Sequence, residues 1–122
     1  MNLVEYVIQS NIDIRKGVFF IGVIRLSNFY KTKKWEKKRI AILKRDEYQC
    51  RECRRYGRVT PATTVHHIIP IEQDRSLKLN SNNLISLCEQ CHNKMHDRGN
   101  DNLTELGKQW VDRVSPLLIK DK

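Results

Sequence analysis

"TTVHHIIPIEQ" (63–73) sets two histidines side by side in a β-branched run that Pro70 closes. Such a run reads as a short strand, and successive side chains of a strand point to opposite faces. His66 and His67 therefore fall on different sides and take different tasks. The other two of the chain's four histidines lie in "CEQCHNKMH" (88–96). A helix beginning near Cys88 sets His92 and His96 four residues apart, on one face. A lone histidine is more often a satisfied core or surface residue. Two matched pairs, one on a hairpin and one on the helix opposite, point instead to a metal site with an open face.

The cysteines explain what holds that unit together. "CREC" (50–53) and "CEQC" (88–91) are two C-x2-C pairs with 34 residues between them. A thiolate pair at this spacing grips one tetrahedral ion from a tight turn, and two pairs complete the tetrahedron. Cys50, Cys53, Cys88 and Cys91 are thus read as a structural zinc site with no open position for substrate. Gly57 suits the turn that follows the first pair. The competing readings are weaker: four unrelated buried cysteines would not repeat the x2 spacing, and a redox pair lacks its strand–CxxC–helix setting around Cys50.

Further out, charge becomes the main signal. The chain of 122 residues is 39% apolar and 30% charged, with net charge +9. This is the balance of a globular domain too small to bury a large core. Residues 31–58 carry 12 basic and 4 acidic side chains, which concentrates +8 there. A solvated helix face is the bland reading, and a polyanion, most commonly nucleic acid, is the functional one. In "KTKKWEKKRIAILKRDEY" (31–48), Trp35, Arg39, Ile42 and Leu43 recur at helical spacing, with Thr32 as N-cap. Lys33, Lys34, Lys37 and Lys38 belong to the outward, basic face of this helix. With Arg51, Arg54 and Arg55 they are the candidate DNA contacts.

The two ends of the chain are simpler. "LVEYVI" and "VFFIGVIRL" read as two short strands and are compatible with a hairpin, a partner-binding arm or a loosely held extension. "NLTELGKQWVDRV" (102–114) reads as an amphipathic helix whose Leu103, Leu106, Trp110, Val111 and Val114 pack inward, with Gly107 weakening it and Pro116 ending it. The longest uncharged apolar run, residues 17–24, is too short to span a bilayer. No signal-peptide pattern opens the chain, so a reducing cytoplasm, that of a bacterial host cell, is expected, with metal binding rather than disulfides.

"VHHIIP", "NSNNLISLCEQCHNKMH" and the two C-x2-C pairs together resemble the HNH endonucleases in their zinc-braced form. "FYKTKKWEKKR" (29–39) is similar to the segment preceding the first knuckle in the small phage and prophage members. The resemblance covers residues 28–98 and implies an α+β fold. Its centre is a ββα-metal (His-Me finger) core of two antiparallel strands and a helix, braced by the four-cysteine knuckle pair. Flanking helices, an N-terminal extension over 1–27 and a C-terminal helix and tail over 99–122 complete the expected organisation.

The resemblance also implies roles. His67 matches the general base and Asn83 the asparagine that ties down the inter-strand loop, with Asn82 a weaker alternative. His66 and His92 match ligands of one catalytic divalent metal, and His96 matches a further ligand known from the nuclease colicins. Implied with them is metal-dependent hydrolysis of DNA phosphodiesters to 5′-phosphate and 3′-hydroxyl ends, one strand per site. Imidazole ligands suit Mn2+, Ni2+ or Zn2+ better than Mg2+. Phage DNA packaging beside the terminase is one setting for such a module. The alternative is a non-catalytic zinc-knuckle module that binds DNA or recruits a larger machine.

Overall fold

The computed structural model describes residues 28–97, 99 and 102–120, with the backbone alone at 119 and 120. The two strands expected near the N-terminus lie outside the described residues. A helical turn at 28–30 leads into helix α1, Lys33–Arg45. Thr32 caps it as expected, its hydroxyl accepting from the Trp35 amide at 3.2 Å. Trp35, Ile42 and Leu43 are its buried residues. A four-residue helix α2, Arg51–Arg54, follows, capped by the Cys50 sulfur. Gly57 takes φ +75° in the turn after it, a conformation that favours glycine.

Strands β1, Thr64–His67, and β2, Leu84–Leu87, form one antiparallel pair in the register Thr64–Leu87, Val65–Ser86, His66–Ile85 and His67–Leu84. The loop between them carries two 3-10 turns, Arg75–Leu77 and Ser81–Asn83. Strand alternation divides the interior into two cores. Val65 and Leu84 pack with Trp35, Ile42 and Leu43 on the α1 side. Ile85 and Leu87 join the four cysteines, Met95, Trp110, Val114 and Leu118 on the other.

Two helices differ from the sequence expectation. Helix α3 spans only Glu89–Asn93, so His96 lies beyond its end, not on its face. There His96 makes an isolated antiparallel bridge to Leu103. The chain turns early because the Thr104 amide and hydroxyl take the Met95 and Lys94 carbonyls, at 3.0 and 2.5 Å. Helix α4, Glu105–Lys120, in turn runs through Pro116 instead of stopping there. Asp112 and Pro116 both face solvent, where the carbonyl that lost its partner can be hydrated, while Val114 and Leu118 bury on either side of the proline. Gly107 also has a positive role. A Cβ there would meet the Met95 carbonyl oxygen at 2.6 Å, so the bare backbone is what lets α4 approach the turn carrying His96.

Candidate active site

The four cysteines are buried and unbridged. Their sulfurs all lie within 4.8 Å of one another. The Cys53 sulfur is 3.9 Å from that of Cys88 and 3.7 Å from that of Cys91. A tetrahedral ion with zinc–sulfur bonds of about 2.3 Å requires sulfur–sulfur edges of about 3.8 Å. The cluster therefore has the size of a zinc site. Burial pushes the Cys50 and Cys91 thiols up from their ordinary values. A cation between them reverses that preference by stabilising the thiolates.

On the same face of the hairpin, the His66 ring centroid lies 5.3 Å from that of His92 and 5.4 Å from that of His96. His92 and His96 are 6.3 Å apart, and all three rings meet edge to face. His66 is 1% exposed, and neither of its ring nitrogens has a hydrogen-bond partner. Leaving two buried polar atoms unmet is costly, and a metal ion is the partner that an imidazole cage accommodates. Burial first, then the nearness of His92 and His96, holds His66 well below the ordinary histidine range. Its neutral nitrogens are thus available as ligands. Of the four histidines, His66, His92 and His96 come together, with His96 arriving from the turn after α3.

His67 faces the other way, as alternation requires. Its ring stacks on Trp35 with centroids 5.0 Å apart and planes at 23°. Its Nε2 lies 2.9 Å from the Lys78 carbonyl oxygen, which fixes Nε2 as the donor. Nδ1 then carries the lone pair, and the Tyr30 hydroxyl donates to it at 3.3 Å. Burial lowers His67 to about 4, against the opposing pull of the Lys78 carbonyl. Tyr30 stays protonated, its phenol pushed up by burial and by Glu72.

Asn83 is fully buried directly before β2. Its side-chain oxygen accepts from the Ile69 amide at 2.8 Å, and its amide nitrogen donates to the Ile69 and Leu77 carbonyls at 3.1 and 3.4 Å. It thus ties Ile69 to Leu77, the residue next to the Lys78 carbonyl that holds His67. The backbone amide of Asn82 donates at 2.9 Å to the Asn80 side chain, which caps the turn.

Sequence reasoning missed a second brace. Arg45 grips Asp46 through two hydrogen bonds of 2.8 and 3.0 Å and also donates to the Ser81 and Leu84 carbonyls. Asp46, 3% exposed, accepts in turn from the Ser86 amide at 3.0 Å. The pair fastens the end of α1 to β2. Adjacent arginine and aspartate at a helix end was the only signal for it, and it is a common one. Of the basic residues, Lys33, Lys34, Lys37, Arg54 and Arg55 are exposed, Arg51 is half-buried, and Lys38 reaches across to the Ser81 hydroxyl at 3.0 Å.

The chain is similar to known proteins. The family model described as HNH endonuclease matches residues 50–98. A probable HNH endonuclease of Lactococcus phage SK1 is 32% identical over 78 residues, covering 61% of this chain and 81% of that protein. The crystal structure of the HNH endonuclease of the deep-sea thermophilic bacteriophage GVE2, determined with a manganese ion, is similar at a TM-score of 0.55. It is 40% identical, over 57% of this chain and 75% of that one.

Proposed function

Because this chain belongs to the HNH endonuclease family of metal-dependent nucleases, we propose that it cuts DNA at the cage of His66, His92 and His96. The observation that carries this reading is His66, with two buried ring nitrogens unmet and two further imidazoles turned towards it. His66, His92 and His96 would hold a divalent ion, which would supply Lewis-acid chemistry for phosphodiester hydrolysis. Manganese, the ion with the GVE2 protein, heads the candidates, followed by nickel, zinc and magnesium.

His67 is the proposed base. The Lys78 carbonyl fixes its tautomer, leaving Nδ1 to take a proton from water. Its lowered pKa keeps it neutral at physiological pH, so the Nδ1 lone pair is not already protonated. The Tyr30 hydroxyl occupies that lone pair at a long 3.3 Å, so it has to give way before a water can reach Nδ1. Asn83 positions the base by holding the loop behind it. The lysines of α1 hold phosphates. One such site cuts one strand, so the expected product is a nick. A place in phage DNA packaging, beside terminase subunits, fits the phage relatives.

Nicking of supercoiled plasmid tests the assignment. His67→Ala should lose about 10²–10⁴-fold in rate while keeping its zinc and its DNA affinity. His66→Ala should lose cleavage through weaker binding of the added ion. Wild-type cleavage by His67→Ala would remove the base from the mechanism. Terminase subunits that fail to co-purify from an infected cell would remove the packaging setting.

A further inference from the structure

Away from the histidine cage, helices α2 and α4 enclose an open cleft of about 590 Å³, into which α1 ends. Arg45, Arg51, Arg54, Arg55 and Arg113 line it, with Trp110 on its wall. Three of these guanidinium groups surround a single indole. The carbons of Arg113, Arg51 and Arg55 lie 5.2, 5.6 and 5.9 Å from the Trp110 ring centroid. The indole itself is 4% exposed and cannot turn. Its N–H donates at 3.0 Å to Glu52, which also takes Arg55 at 2.8 Å and is itself buried.

The carboxylates present do not balance this charge. Asp46 is taken by Arg45 and the Ser86 amide. Glu47 takes Arg54 on the open surface, and Glu52 takes Arg55. Among the described residues, Arg51 has only a distant oxygen of Asp46, at 3.9 Å. Burial and the neighbouring Arg45 and Arg54 work against its charged form, although Asp46 favours it. Among the described residues Arg113 forms no ion pair. Crowded guanidinium groups over an apolar wall are at their most favourable when a multivalent anion sits between them. Their planar forks match the oxygens of a phosphate, and a concave site concentrates the field.

We infer that this cleft carries the DNA-binding surface on to α4, seating backbone phosphates between Arg51 and Arg113. It continues the basic face of α1, because Lys38 and Arg45 both reach the Ser81 turn at its rim. Arg113 lies beyond the segment matched by the family model, on α4, so the C-terminal helix here has a binding role besides packing. The inference rests on the nuclease reading only in taking the polyanion to be DNA.

Binding of a short labelled duplex of mixed sequence, titrated with salt and without added divalent ion, separates the two. Arg113→Gln and Arg51→Gln should each flatten the log–log salt dependence by about one unit, and the double variant by about two. Arg113→Lys should keep the wild-type slope. Zinc content and thermal unfolding check folding. Arg113→Gln breaks no hydrogen bond or ion pair among the described residues, so it remains informative if the double variant unfolds. A wild-type slope in Arg113→Gln would overturn the cleft. A protein that shows the expected slopes yet never nicks plasmid would overturn the nuclease reading and leave the cleft standing.

Discussion

Asn83 shows how much one side chain can decide. It makes three hydrogen bonds to the loop behind His67 from a fully buried position. Asn83→Ala leaves the Ile69 amide and two carbonyls short of a partner, at a cost of about 1–3 kcal/mol. The expected result is a lower unfolding temperature together with slower DNA cleavage, since the Lys78 carbonyl that holds His67, the proposed base, is no longer fixed. Asn83→Asp should be worse, because the acid can still accept from Ile69 but cannot, when ionised, donate to either carbonyl. Thermal unfolding of the two variants side by side checks that order. At this scale the sequence was informative where chemistry is rare. Paired histidines and cysteines stand out, and their opposite strand faces follow from alternation alone. Tyr30 against His67, and Glu52 beneath Trp110, were not legible. They are common residue types brought together over 37 and 58 positions, and no local pattern encodes that.

Among the elements, α4 departs most from its sequence pattern. A glycine inside a helix is ordinarily a weakness that alanine repairs by about 1 kcal/mol. Here the sign should reverse. The methyl of Gly107→Ala would press on the Met95 carbonyl and on Leu103, so the helix must move off or the turn must shift. Denaturant unfolding should show a loss of about 1–3 kcal/mol. Gln109→Ala, on the exposed face of the same helix, should change little. Because the displaced turn carries His96, nicking by Gly107→Ala should need more added metal than nicking by the wild type. Periodicity revealed the buried face of α4 and that of α1, because apolar spacing is a property of the element itself. The end of α3 could not be read in this way. It is set by Thr104 bonding back to Lys94 and Met95, a contact between segments that periodicity does not record.

For the whole molecule, the four-cysteine cluster, which has the size of a zinc site, is a central brace. Its sulfurs sit within the core that also holds Met95, Trp110 and Val114, so losing a zinc ion bound there would open that core. Chelation should therefore unfold the protein as followed by circular dichroism, and re-added zinc should restore it at one ion per chain. Cys91→Ser should fail in the same way, and manganese should not rescue it. The two ligand pairs also bracket the entire hairpin, and this has a consequence for how fast the chain finds its shape. An ion that joins residues 50–53 to 88–91 early brings the strands together before they pair, which turns a distant search into a short one. Refolding should then quicken with zinc concentration until capture of the ion is no longer limiting. The two tryptophans are placed to time it, one in each core. In stopped-flow fluorescence with either Trp35 or Trp110 replaced by phenylalanine, the Trp110 signal should follow the zinc concentration. A fast phase of the Trp35 signal, from α1 forming by itself, should not.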